Sequence, residues 1–297
     1  ASTGLGGLLT TEGSVASNGP KIQIKGRIKA EKLKLAKGGT PARKPVEFDF
    51  IADHDMQKQS GTLSRGGVSI GAAKASLAGT YSMQGESPAV NLKLSGASMP
   101  VGELEAILPS LDIVLPSGSS LQGGTASAEV IVEGPVEKLV IDGNLGLRDT
   151  TLIGFDLGSK ISTIARMAGI RNTSNTKIQT FGAKIHVSPE GVRTEAISLI
   201  APDLGELTGL GAISPSHALD FRMLAKLHTG GAVMAALGVK GDVGIPFVIK
   251  GTSSNPLFEP DVRGLTEDKL KGIQDIRTDP AKAATSIIQG LLSGKKN

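Results

Sequence analysis

Apolar and polar positions alternate with a period of two along most of this chain. Val46, Phe48 and Phe50 are separated by Glu47 and Asp49, and Val90, Leu92 and Leu94 by Asn91 and Lys93. Leu219, Phe221, Met223, Ala225 and Leu227 are staggered against Asp220, Arg222, Leu224 and Lys226. Ile245, Phe247 and Ile249 then lead into Gly251. Successive strand residues point to opposite faces, so each run predicts a strand with one apolar and one mostly polar face, as in an antiparallel sheet. Turn chemistry bounds the runs at Gly66 and Gly67, at Gly134 and Pro135, and at Ser214, Pro215 and Ser216. Ser188, Pro189, Glu190 and Gly191 predict a hairpin between 184–187 and 192–200. No strand alternates with a long helix, which argues against βαβ units.

Helical spacing interrupts the pattern in few places. Pro100 opens a helix near 100–109 with Val101, Leu104, Ile107 and Leu108 on one face. Ile161, Ile164, Ala165 and Ala168 mark another near 157–169, and 232–237 a short third. The best formed lies at the C-terminus, with Asp279 as cap, Pro280 as first residue and Gly294 as stop. Its stripe is Ala283, Ala284, Ile287, Ile288, Leu291 and Leu292. A loose repeat runs from Gly19 and Pro20 to Gly26, and again from Gly134 and Pro135 to Gly143, with a degenerate copy from Gly251 to Pro256. Such strand–turn–strand units predict a sheet grown by addition. The expected architecture is mainly β: an extended curled antiparallel sheet with a few short peripheral helices and a C-terminal helix. The predicted units are an N-terminal β-sheet unit over 1–118, a second β-sheet unit over 119–264 and a helical tail over 265–297.

Composition sharpens this picture. With no Trp, one Tyr and seven Phe among 297 residues, the apolar side must be built from aliphatic side chains. The 40 Gly are roughly twice the average share and suit many turns and bulges. The absence of Cys removes disulfides, thiolate nucleophiles and Cys-based zinc sites. A net charge of +4 without stacking aromatics does not describe a nucleic-acid binder. No apolar run reaches the roughly 18 residues that span a bilayer. The chain starts at Ala1 in a Gly- and Ser-rich stretch, which is expected of a processed form or fragment whose upstream anchor or signal is missing.

Candidate chemistry is sparse. The four His lie far apart, and Asp53, His54 and Asp55 form the one clustered trio, expected as a solvated turn between two strands. His186 falls on a polar strand position and is expected to be exposed. Gly209, Leu210 and Gly211 begin a dinucleotide-like pattern, but Ser214 replaces the third Gly and no helix follows. Gly290 to Lys295 has the wrong spacing for a phosphate loop, and there is no nucleophile elbow. Lys25, Arg27, Lys29, Lys32 and Lys34 form a basic run that either attracts anionic headgroups, forms a solvated face or guards an edge strand. No catalytic, metal or cofactor site emerges.

Taken in order, several segments resemble the C-terminal region of AsmA-family proteins. They are Ser-Leu-Ala-Gly-Thr-Tyr-Ser-Met at 76–83, Pro-Ala-Val-Asn-Leu-Lys-Leu at 88–94, and Met-Pro-Val-Gly-Glu-Leu at 99–104 with Leu108 and Pro109. Leu-Pro-Ser-Gly-Ser-Ser-Leu-Gln-Gly-Gly at 115–124, and Gly134 and Pro135 through Gly-Asn-Leu-Gly-Leu at 143–147, continue the series. Residues 185–192, Gly-Leu-Gly-Ala-Ile at 209–213, and Ile-Pro-Phe-Val-Ile-Lys-Gly-Thr at 245–252 with Pro256, Pro260 and Asp261 match the closing strands. The resemblance covers about residues 10 to 292. It implies a non-enzymatic module of a bacterial envelope protein, held in the inner membrane by an N-terminal helix, with its body in the periplasm. It also implies a role in outer-membrane biogenesis and phospholipid movement, and a curled sheet with a greasy groove, as in chorein-type bridge proteins.

On that reading the partners are phospholipid or another acyl lipid, the envelope membranes and envelope proteins, with no nucleic acid and no cofactor. The residues expected to line the groove are Phe181, Ile185, Val187, Phe221, Met223, Leu227, Phe247 and Ile249, which alternation sends to one side of their strands. Two alternatives stay open at this point. The apolar face is either an open groove or a closed core under the helices, and the module either carries lipid or acts as a structural docking unit in outer-membrane assembly.

Overall fold

The computed structural model describes residues 6–85, 87–161, 174–227 and 244–261, with only the strand path given for Leu227, Gly244 and Ile245. The strands are β1 (Gly6–Asn18), β2 (Lys21–Lys34), β3 (Val46–Asp55), β4 (Ser60–Ile70), β5 (Ala73–Ser82) and β6 (Ala89–Pro100). After α1 (Val101–Leu104) and a 3-10 turn (Leu108–Leu111) come β7 (Ser120–Gln122), β8 (Thr125–Pro135) and β9 (Val140–Ile153). Then α2 (Leu157–Lys160) precedes β10 (Thr176–Ser188), β11 (Gly191–Ala201), β12 (Gly205–Ile213), β13 (Leu219–Leu227), β14 (Gly244–Thr252) and β15 (Asn255–Pro260).

All 15 strands belong to one antiparallel sheet laid down in sequence order, with β7 set aside on β9 so that β6 pairs directly with β8. The hairpin expected around Pro189 joins β10 to β11. Its Gly191 has φ +120°, and a Cβ there would lie 2.3 Å from the Ile213 carbonyl oxygen, so glycine is needed. The sheet runs without a break across the 118/119 boundary drawn between the two expected β units.

Register turns alternation into a surface. Residues directly opposite each other share a face, and Ile24, Ala52, Leu63, Gly79, Leu92, Val132, Ile141, Val187, Val192, Ile213 and Leu219 follow one another across eleven strands. A parallel row passes through Phe50, Leu77, Leu94, Val130, Ile185, Phe221, Ile249 and Phe258. Bulges in β4 and β11 each absorb extra residues between such rows, so the apolar side stays aligned where a plain slip would turn it over.

No described element forms a second layer. Beyond neighbouring strands, the substantial contacts are those of α1 with β5, β6 and β7 and of the 3-10 turn with β2. The apolar face is covered in two places. At one margin Leu104 and Ile107 pack on Ala30, Val46 and Ile70. The 35–45 loop is tied to this segment by backbone bonds from Leu35 and Ala36 to Ser110 O, both 2.9 Å, and from Arg43 to Ala106 O, 2.9 Å. On β12–β14, Phe155, Leu157 and Ile161 close over Leu207, Phe221, Met223, Ala225 and Phe247. Thr176 holds this cover down: its Oγ1 accepts from the Leu157 amide at 2.9 Å and donates to Phe155 O at 2.7 Å.

Several expectations need correction. The sheet is open and not strongly curled, because twist alone does not draw end strands together and β1 and β15 share no partner. The helix expected near 100–109 is one α turn and one 3-10 turn, since Pro109 cannot donate within a continuous helix and Asp112 closes the segment at φ 60°. Near 157–169, α2 spans Leu157–Lys160. Residues 162–169, 232–237 and the 265–297 tail lie outside the described residues. The basic run sits on β2, which is not an edge strand, because β1 pairs along its outer side.

Candidate functional site

The eight residues expected to line a groove fall on strands β10, β13 and β14, and the seven other than Leu227 lie on the side that carries the apolar rows. Ile185 is linked through Thr194 and Gly211 to Phe221 and Ile249, and Met223 faces Phe247 directly. Phe181 lies between Leu147 and Leu199, and Val187 between Ile141 and Val192. Leu227 is opposite Gly205 on the strand path. Their environments differ. Phe221, Met223 and Phe247 are buried in the covered cluster, and Phe247 is wholly inaccessible. Phe181, Ile185, Val187 and Ile249 are half-buried by their strand neighbours.

The same face continues over β5–β9, beyond the eight residues expected from sequence. Leu77, Leu92, Leu94, Val132, Ile141 and Leu147 are half-buried, and Leu145, between Ala128 and Ala183, is 37% exposed. The cross-strand partners of aromatic residues are often glycines. A Cβ on Gly26 would meet the Phe50 ring at 2.7 Å, one on Gly61 the Tyr81 ring at 2.5 Å, and one on Gly211 the Phe221 ring at 2.4 Å. Rings therefore lie flat along the sheet in place of the missing side chains, which keeps the face low and smooth.

The opposite face is charged and self-paired. Arg27 Nε donates to Asp49 at 2.7 Å, Lys93 lies 3.2 Å from Glu129, Lys184 bonds Glu195 at 2.5 Å, and Lys250 bonds Asp220. His186 belongs to this face, its Nδ1 2.7 Å from Asp142. The carboxylate of Glu195 holds the Lys184 ammonium above its ordinary range by a direct hydrogen bond and by its charge.

Asp53, His54 and Asp55 end strand β3 instead of forming the expected turn, because pairing with β2 and β4 persists through Asp55. His54 is stacked on Tyr81 with ring centroids 5.7 Å apart, and its Nδ1 is 3.2 Å from the Tyr81 hydroxyl. Asp53 accepts from Gln23 Nε2 at 3.0 Å, and Asp55 accepts from the Gln57 and Lys58 amides at 3.0 Å each. The Lys58 amide bond, helped by the Gln57 amide and by the charges of Lys58 and Lys21, holds the Asp55 carboxyl below the usual carboxylate range. Gln23, Asp53, His54, Asp55 and Tyr81, with Ser60, Thr62, Thr80 and Ser82, line a cavity of about 920 Å³ at this margin of β1–β6. Its carboxylates are occupied in local bonds. No three His, Asp or Glu are grouped to hold a metal ion among the described residues. No described helix is long and apolar enough to cross a membrane.

Among the described residues the molecule presents a broad apolar sheet face, covered at two margins and without a second layer, backed by a charged one. No protein-family model, curated protein or solved structure matches the chain.

Proposed function

We propose that this chain is a non-enzymatic periplasmic module of an AsmA-like protein of the inner membrane, and that its apolar sheet face carries phospholipid acyl chains during outer-membrane biogenesis. One observation carries the reading: a sheet with one apolar face ordinarily packs it against a second layer, and over β5–β10 the described residues supply none beyond the margin that α1 meets. Half-buried apolar side chains in continuous rows, with Leu145 the most open at 37%, suit a binding face. An acyl chain lying along the rows would gain about 0.8 kcal/mol for each methylene withdrawn from water. The aliphatic lining and the rings flattened over glycine suit a linear, featureless ligand better than one recognised through polar groups.

Lipid extraction from protein purified out of bacterial cells, followed by mass spectrometry, tests the reading. Phospholipid bound in stoichiometric amount, and lost from a folded Leu145→Asp variant, is the expected result. Protein that purifies folded and free of lipid would refute carriage and favour a docking role.

A further inference from the structure

The charged face is not uniform. Along much of it long side chains reach across strands and pair, as Arg27 does with Asp49, Lys93 with Glu129 and Lys184 with Glu195. At the hairpin margin of β1–β6 shorter side chains take their place, and the cavity of about 920 Å³ lies there. Three neighbouring rows of the register line it. One runs through Gln23, Asp53, Thr62, Thr80 and Asn91, and another through Lys21, Asp55, Ser60 and Ser82. Between them lie Ile22, His54, Gly61, Tyr81 and Val90. Successive strand residues point to opposite faces, so the two outer rows stand up on the charged side and the middle row supplies backbone as the floor. The next row of the apolar face, with Ile24, Ala52 and Leu92, contributes nothing to the lining. The cavity is therefore a polar groove across β1–β6, roughly 24 Å long at a strand spacing of about 4.8 Å.

We propose that this groove binds an uncharged linear oligosaccharide. Its charges balance, with Lys21 and Lys58 set against Asp53 and Asp55. Asp53 is engaged by the Gln23 side-chain amide, and Asp55 by the backbone amides of Gln57 and Lys58. Lys21 stands opposite Asp55 on the neighbouring strand. No surplus of either sign is left to select a phosphate or an ammonium group. What the groove offers instead is hydroxyls and amides. Ser60, Thr62, Thr80 and Asn91 make no side-chain hydrogen bond among the described residues. Each of these groups both donates and accepts, as sugar hydroxyls do. Thr62 faces Thr80, and Ser60 faces Ser82, so the same groups recur at the strand spacing, which suits a chain of repeating units. Thr62, Thr80 and Asn91 are exposed and open to such a ligand. The groove lies on the face opposite the apolar rows, and the inference stands whether or not those rows carry lipid.

Ligand-observed NMR titration of the full chain tests the proposal. The probes are linear dimers and hexamers of glucose, mannose, galactose and N-acetylglucosamine, with oligo-lysine and oligo-aspartate peptides of similar length beside them. At least one hexamer is expected to bind, and the dimer of the same sugar more weakly, because it spans less of the groove. Thr62→Val with Thr80→Val removes two hydroxyls from exposed strand positions and keeps the shape and strand preference of the side chains. That variant should melt as the wild type does and bind the hexamer roughly tenfold more weakly, as the loss of two hydrogen bonds implies. Thr80→Arg, whose side chain fills the groove, should abolish binding. A protein that binds none of the hexamers overturns the proposal, as does one that binds only a charged peptide. Hexamer binding that both variants leave unchanged overturns it too, since the sugar then sits elsewhere.

Discussion

Two parts of one face, the covered patch on β12–β14 and the uncovered span over β5–β10, have the same alternation and different surroundings. On β13 and β14 the apolar side chains are sealed by Phe155, Leu157 and Ile161, with Met223 8% and Phe247 0% exposed. On β9, Leu145 lies on the same face, no described element packs on it, and it is 37% exposed. The difference teaches that alternation specifies which side of a strand is apolar, and a separate element decides whether that side becomes core or surface.

Substitutions at matched positions can break this comparison. A carboxylate at Met223→Asp would be buried without a partner and should cost several kcal/mol, enough to unfold a marginally stable sheet. Leu145→Asp reaches water and should cost roughly 1 kcal/mol or less. Chemical denaturation of both variants measures the contrast, and equal losses would mean that the central face is as closed as the margin. Truncation gives a smaller version of the same test. Phe247→Ala should lose about 3–5 kcal/mol, and Leu94→Ala, half-buried from the outset, less than about 2 kcal/mol.

The glycines under the rings sharpen the comparison further. At Gly211→Ala the new methyl would press on a Phe221 ring already confined by the cluster, for an overpacking loss of about 1–3 kcal/mol. At Gly26→Ala the Phe50 ring has an open side to move into, and the loss should be below about 1 kcal/mol. Thermal melts of the two variants should therefore separate clearly, with the Gly211 variant the lower.

These particular residues also show how far the sequence could be read. The run from Leu219 to Leu227 and its neighbour around Phe247 pair as the alternation predicts, because period two is a local property. The hairpin at Pro189 and Gly191 was legible for the same reason. The role of Gly26, Gly61 and Gly211 was not, since a glycine beneath a ring is distinguished from a turn glycine only by a partner strand elsewhere in the chain. Thr, Ser and Gly blur the alternation of β1, so from sequence the Lys-rich strand beside it has the character of an edge. The charges of the trio at Asp53 suit a turn, whereas continued pairing on both sides keeps it in β3. The groove residues were traced on β10, β13 and β14, and the extension over β5–β9 appears only when register links strands that are far apart in sequence.

A photo-reactive amino acid placed at each side of the sheet tests the central claim most directly. Leu145 projects from the apolar face, and Ile131, 45% exposed, from the charged one. After irradiation in living cells, mass spectrometry of the purified protein should find phospholipid attached at position 145 and none at position 131. Lipid on neither side, or equally on both, would contradict a face that carries acyl chains.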